Sequence, residues 1–215
     1  MPAPPPLPQL GTAISASYAA AFVDIGLRAT VPGANDNLTG VAAVLSLAHA
    51  IAAAGGPPNG VRVILLSAGA EESHQEGMSA FAERHFPSPP TESTHVICLD
   101  TLGSPRLAAL EGKGTLRMED YPEAVRDLVE RCAEEAGVDP QRGLRFRNPT
   151  DGLIALRAGY PCAAIVSVDE FKVPTDYHWP TDTADYARVA DAARQCVRLV
   201  ERLAPERDAA AAEGS

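Results

Sequence analysis

A chain of 215 residues, 46% hydrophobic and 21% charged, is long enough for one well-filled core. Its formal charge of −10 argues against a nucleic-acid partner, which would need a basic surface, and against docking on anionic lipid. Its four cysteines, Cys98, Cys132, Cys162 and Cys196, lack CxxC spacing, so buried free thiols are expected rather than a zinc knuckle.

The opening, Met1 to Pro8, has no basic lead of the signal-peptide kind, and its proline density predicts an extended linker within an N-terminal segment, 1–31. Ile14 to Ala29 comes nearest to a membrane span, but Asp24 and Arg28 interrupt it, so none is expected. Asn37 to Ala54 has helical spacing and stops at Gly55-Gly56-Pro57-Pro58. Val61 to Ala68, short and rich in branched aliphatics, reads as a buried strand. Further helices are predicted at Glu76–His85, from Tyr121-Pro122 to about Ala136, at Asp151–Ala158 and at Ala184–Leu203. Further strands are predicted at Val96–Leu99, at Arg106–Leu110 before a turn at Glu111-Gly112-Lys113-Gly114, at Leu144–Arg147 and after Pro161 to Val168. The alternation implies a three-layer α/β/α sandwich with a mostly parallel or mixed sheet over 32–205, lacking N-terminal strands if the chain is part of a longer one, and a disordered tail, 206–215. The abundance of Ala, Arg and Pro suggests a GC-rich bacterial source.

Chemistry gathers at the ends of the apolar runs, where open α/β sheets place their ligands. The first run leads to Glu71-Glu72, the second to Asp100, the last to the loop bearing His178, and Asp36 precedes a helix. Adjacent acids repel unless a cation or a proton separates them. Amide hydrolysis at neutral pH needs a nucleophile and a polarised carbonyl, both of which a divalent metal supplies, and a nearby proton acceptor. Asp36, Glu72, Asp100 and His178 are suitable zinc ligand types, which leaves Glu71 as candidate base. Plainer readings compete. Asp36, Asn35 or Asn37 would serve as a helix cap, Glu71-Glu72 as a solvated loop, Asp100 as a turn residue and His178 as packing beside Tyr177 and Trp179. Asp151 is read as a helix cap near a substrate cleft, with Tyr177 at its wall.

Gly33-Ala34-Asn35-Asp36-Asn37-Leu38-Thr39-Gly40 resembles the Gly-Ala-x-Asp-Asn-x-x-Gly segment of the zinc aminopeptidases of peptidase family M28. Ala70-Glu71-Glu72 with Gly77, Leu99-Asp100 with Gly103, and Tyr177-His178 with Asp182-Thr183 are similar to that family's later elements, in order and spacing. The resemblance implies a zinc exopeptidase acting on peptides. Asp36 would bridge two zinc ions, Asp100 would belong to the first, Glu72 and His178 to the second, and Glu71 would be the general base. It also implies a non-proline cis peptide after Asp36 and a supporting role for Asp182 at the His178 loop. One element is missing. The family's His-x-Asp has no counterpart upstream of Asp36, where Phe22-Val23-Asp24 carries Phe in place of His. The first zinc site is therefore expected to be weak and the Asp36, Glu72, His178 site the more complete. Two rivals follow: a one-zinc acyltransferase resembling glutaminyl cyclases, and an inactive binding domain of the same fold.

Overall fold

The computed structural model describes residues 7–184 and 186–204; the first six residues of the predicted linker and the tail 206–215 lie outside them. The chain divides into two units, Met1–Val31 and Pro32–Ser215. The first contains helix α1 (Leu7–Leu27), which takes in the last two residues of the predicted linker, Leu7 and Pro8. Pro8 falls in the first helical turn, where its missing N–H is no loss, and five alanines between Ala13 and Ala21 favour the helix. No residue of α1 is buried. At 21 residues the helix is long and apolar enough to cross a bilayer, as is the stretch 34–53. A search for unbroken apolar runs overlooks α1, because mean hydropathy tolerates Asp24 among alanines; the same composition suits a signal sequence.

The second unit contains α2 (Thr39–Ala53), α3 (Glu76–His85), β1 (Val96–Leu99), β2 (Arg106–Lys113), β3 (Glu119–Asp120), α4 (Glu123–Glu135), β4 (Gln141–Phe146), α5 (Asp151–Arg157), β5 (Cys162–Val168) and α6 (Tyr186–Arg202). The sheet runs β1-β5-β2-β3, with β4 also on β2. The β1–β5 and β2–β4 pairs are parallel, and β2 is antiparallel to β5 and β3, so the sheet is mixed. Alternation along the strands feeds two apolar layers. Leu107, Ala109, Ala163 and Ile165 pack with α2, α4 and α6. Ala108, Leu110, Cys162, Ala164 and Val166 pack on the opposite face with Met78 of α3 and Ala155 of α5. Helices on both faces of a mixed sheet give the expected three layers. The four cysteines are free thiols, and burial pushes Cys132 up to about 11 and Cys196 to about 12.

Three sequence expectations need correction. Residues 61–68 carry no strand, and Ile64, Leu65 and Leu66 are 55%, 40% and 37% exposed. Branched aliphatics favour extended backbone, but a strand also needs a pairing partner, and none is formed there among the described residues. The predicted turn at Glu111–Gly114 is instead the continuation of β2 to Lys113. Gly112 serves close approach, since a Cβ there would stand 2.7 Å from the Glu119 carbonyl of β3. The cap of α5 is Thr150, and Asp151 sits inside the first turn.

Leu107 is 2% exposed between β5 and the helical layer, whereas Leu116 is fully exposed. Leu107→Ala is expected to cost about 2–5 kcal/mol in denaturant unfolding, and Leu116→Ala less than about 0.5 kcal/mol.

Candidate metal centre

Asp36 lies in the turn Ala34–Leu38 that precedes α2, and its peptide bond to Asn37 is cis, as the motif resemblance implies. The asparagines on either side fix this turn. Asn35 is fully buried; its Nδ2 donates to Ser104 Oγ and the Thr175 carbonyl, and its Oδ1 accepts from Gly103 N–H at 2.7 Å. Asn37 Oδ1 accepts from the N–H groups of Gly40 and Thr101, and its Nδ2 donates to the Leu99 carbonyl at 3.0 Å. Asn37, rather than Asp36, therefore closes the first turn of α2. A Cβ on Gly40 would stand 2.6 Å from the Leu99 carbonyl, so glycine is what lets α2 meet the end of β1.

Glu71 and Glu72 follow Ala70, whose φ of 56° lies in the left-handed region. The loop is closed by Gln75 N–H to the Glu71 carbonyl (2.8 Å), and Gln75 Nε2 donates to Glu71 Oε1 at 3.1 Å. A side chain on Gly77 would overlap the Gly69 carbonyl, so Gly77 keeps α3 tight against this loop.

His178 also has positive φ, 61°, and its ring stacks on Tyr177 with centroids 3.9 Å apart. Left-handed conformations of this kind cost about 1–2 kcal/mol for a residue with a Cβ. Their occurrence at Ala70, Thr101 and His178, at or beside the expected site residues, marks loops held by tertiary contacts. The Tyr177 hydroxyl accepts from Asn148 Nδ2 at 3.4 Å. Asp182, 2% exposed, accepts from the N–H of Asn35 at 2.8 Å and of Asp36 at 3.4 Å. Its own N–H donates to the Trp179 carbonyl, so Asp182 joins the His178 loop to the Asp36 turn.

These loops bring His178 Nε2 within 3.0 Å of Asp36 Oδ2 and 2.9 Å of Glu72 Oε1. One donor atom from each of the three residues lies within 4.8 Å of the others. Asp36 is mostly covered, while His178 and Glu72 face solvent, so the cluster opens outward. Asp100 is not in this group; its Oδ2 lies 3.3 Å from Lys113 Nζ. Burial, then the charges of Asp100 and Glu72, push the Asp36 carboxyl up to about 7, against the opposing influence of His178. Burial also raises Glu71, while its hydrogen bond from Gln75 works the other way. Two carboxylates and an imidazole converging at one solvent-facing point, with further acids close by, fit a divalent cation. The two separations from His178 Nε2 lie slightly inside the roughly 3.4 Å expected between tetrahedral zinc ligands.

Residues 19–204 match the family model of peptidase family M28. The chain belongs to peptidase family M28. Among solved structures, this M28 chain is similar to BSAP, a zinc aminopeptidase from Bacillus subtilis, at 22% identity and TM-score 0.62, covering 83% of this chain and 44% of that one. It is also similar to an aminopeptidase from Aneurinibacillus sp. strain AM-1, at 21% identity and TM-score 0.58, covering 81% of this chain and 40% of that one. At these identities the likeness is one of fold, and the M28 chain spans less than half the length of either relative. No curated protein matches the sequence.

Motif reading of the M28 chain passes over Lys113, Asn35, Thr39 and Ser104 as parts of the site. The available signal for Lys113 was a lysine directly after a strand pattern, masked by the flanking glycines that suggest a turn.

Asn35→Ala removes three hydrogen bonds, two of them buried, and orphans Gly103 N–H; a loss of about 2–4 kcal/mol in unfolding free energy is expected, with weaker zinc uptake. Asp151 gives a pH test. Burial, then Glu71 and Asp100, raise its carboxyl to about 6 from 3.8, with Lys113 opposing, and its Oδ1 is buried without a partner. Folding therefore favours the protonated acid, and this contribution is lost as pH rises from 3.8 through about 6. In chelator, Asp151→Asn is expected to raise the melting temperature by a few degrees at about pH 8 and to leave it unchanged at about pH 3. Equal shifts at both values would exclude this origin.

Proposed function

We propose that this M28 chain is a zinc-dependent exopeptidase that removes N-terminal residues from peptides. The convergence of Asp36, Glu72 and His178, with Glu71 adjoining, is the observation that supports the reading. Zinc held by these three residues would supply Lewis acidity, polarising the scissile carbonyl and acidifying water. Glu71 takes the proton and returns it to the leaving amine. Burial raises its proton affinity, which favours taking that proton, and Gln75 fixes its carboxylate. Asp151, whose Oδ1 has no partner among the described residues, adds negative charge, which favours the ammonium group of a free peptide N-terminus.

Glu71→Gln is expected to lose at least about 100-fold in amino-acid release from leucyl or arginyl amides with zinc content unchanged. His178→Ala is expected to lose the zinc itself. Full turnover in both variants rejects these roles.

A one-zinc acyltransferase resembling glutaminyl cyclases is the second reading. It is favoured by the engagement of Asp100 with Lys113, which leaves a single three-residue ligand set among the described residues. Pyroglutamate formation on a Gln-initiated peptide, set against amino-acid release, separates the two.

A further inference from the structure

Lys113 is the last residue of β2, and its side chain is 1% exposed. A buried ammonium loses several kcal/mol of hydration and needs compensation by a fixed counter-charge. Among the described residues, its one hydrogen bond runs to Asp100 Oδ2, at 3.3 Å, and its Nζ lies 5.7 Å from the centre of the Phe146 ring. The Phe146 face adds a cation–π contribution at that range. Two register shifts against β4, at Ala108/Leu110 and Leu110/Gly112, lie between the regular part of β2 and Lys113. Irregularities of this type bend a strand and re-aim its side chains. The lysine is thus built into the structure and points among acids: Glu71 and Asp151, as well as Asp100, lie close enough to feel its charge.

The ion pair changes what Asp100 is free to do. Among the described residues, Asp36, Glu72 and His178 form the cluster of ligand atoms, and Asp100 stands outside it with one oxygen committed to Nζ. We propose that Lys113 is an internal cation standing in for a second metal ion, so that the chain loads one divalent ion, at Asp36, Glu72 and His178, and keeps Asp100 out of ligation. This rests on the metal-site reading given above. A fixed ammonium neutralises carboxylate charge without offering a ligand position, and it repels a second divalent ion at short range. Lys113 acts through Asp100 and is a positioning residue.

The test is metal stoichiometry, read independently of turnover. The 215-residue chain is equilibrated with excess zinc, freed of unbound ion and measured by native mass spectrometry and elemental analysis. One zinc per chain is expected. Two would overturn the proposal while leaving the metal-site reading intact, and none would remove that reading itself. Lys113→Met, checked for folding by circular dichroism, is expected to bind a second zinc at least about tenfold more tightly than the unaltered chain. A folded Lys113→Met with unchanged second-ion affinity overturns the proposal. The double variant Lys113→Met/Asp100→Asn removes the pair without leaving a lone buried charge. It is expected to hold the first zinc within about threefold of the unaltered chain, whereas a loss beyond about tenfold would make Asp100 a ligand and overturn the proposal.

Discussion

Two buried side chains, Asn35 and Asp182, set the positions of the loops around the candidate centre. Asp182 accepts from successive backbone N–H groups of the Asp36 turn, while Asn35 reaches Gly103, Ser104 and the Thr175 carbonyl. Thr39 extends the network, donating to the Asn35 carbonyl and accepting from Leu102 N–H. Three segments far apart in sequence are held in register by groups that have no water to fall back on. Each buried polar atom must find its partner or forfeit its hydration, so the arrangement is close to all-or-none. The placement of Asp36 opposite His178 follows from it. So does the choice of glycine at Gly40 and Gly103, where a methyl group would collide with the Leu99 carbonyl or Asn35 Oδ1.

Charge is the second constraint. Asp36, Glu71, Glu72, Asp100 and Asp151 lie near one another, and the first of them is driven toward protonation by burial and then by Asp100, Glu72 and Glu71. Such a set is unfavourable unless positive charge is placed among it. Lys113 supplies part of it from within the chain, and the donor set at Asp36, Glu72 and His178 has the composition to take the remainder as a metal ion. The two cations would divide the acids, one within the buried layer beneath the loops and one at their solvent-facing mouth.

Local spacing carried most of the architecture. The stops at Gly137 and Gly159, with φ of 72° and 86°, fall where the sequence pattern places them, and α3 runs from Glu76 to His85 as its periodicity predicts. The buried stripe Val189, Ala192, Ala193, Cys196 and Leu199 of α6 was readable from the 3.6-residue repeat. What sequence did not disclose depends on partners. Val61 to Ala68 has the residues of a strand and no ladder, because pairing is settled by neighbours rather than by propensity. Gly112 and Gly114 look like a turn, yet Gly112 is there to admit β3. Within the centre, motif order marked Asp36, Glu72 and His178, which the loops do bring together, whereas the lysine holding Asp100 belongs to no motif. A long-range ion pair leaves no periodic trace in the sequence of either partner.

The four sulfurs carry a practical consequence. They are unpaired, three are fully buried, and burial raises their proton affinity, to about 11 for Cys132 and about 12 for Cys98 and Cys196. At neutral pH the reactive anion of a thiol with pKa near 11 makes up on the order of one part in ten thousand. At neutral pH these thiols are therefore weak nucleophiles, and the fold is held together by packing and hydrogen bonds with no disulfide among the described residues.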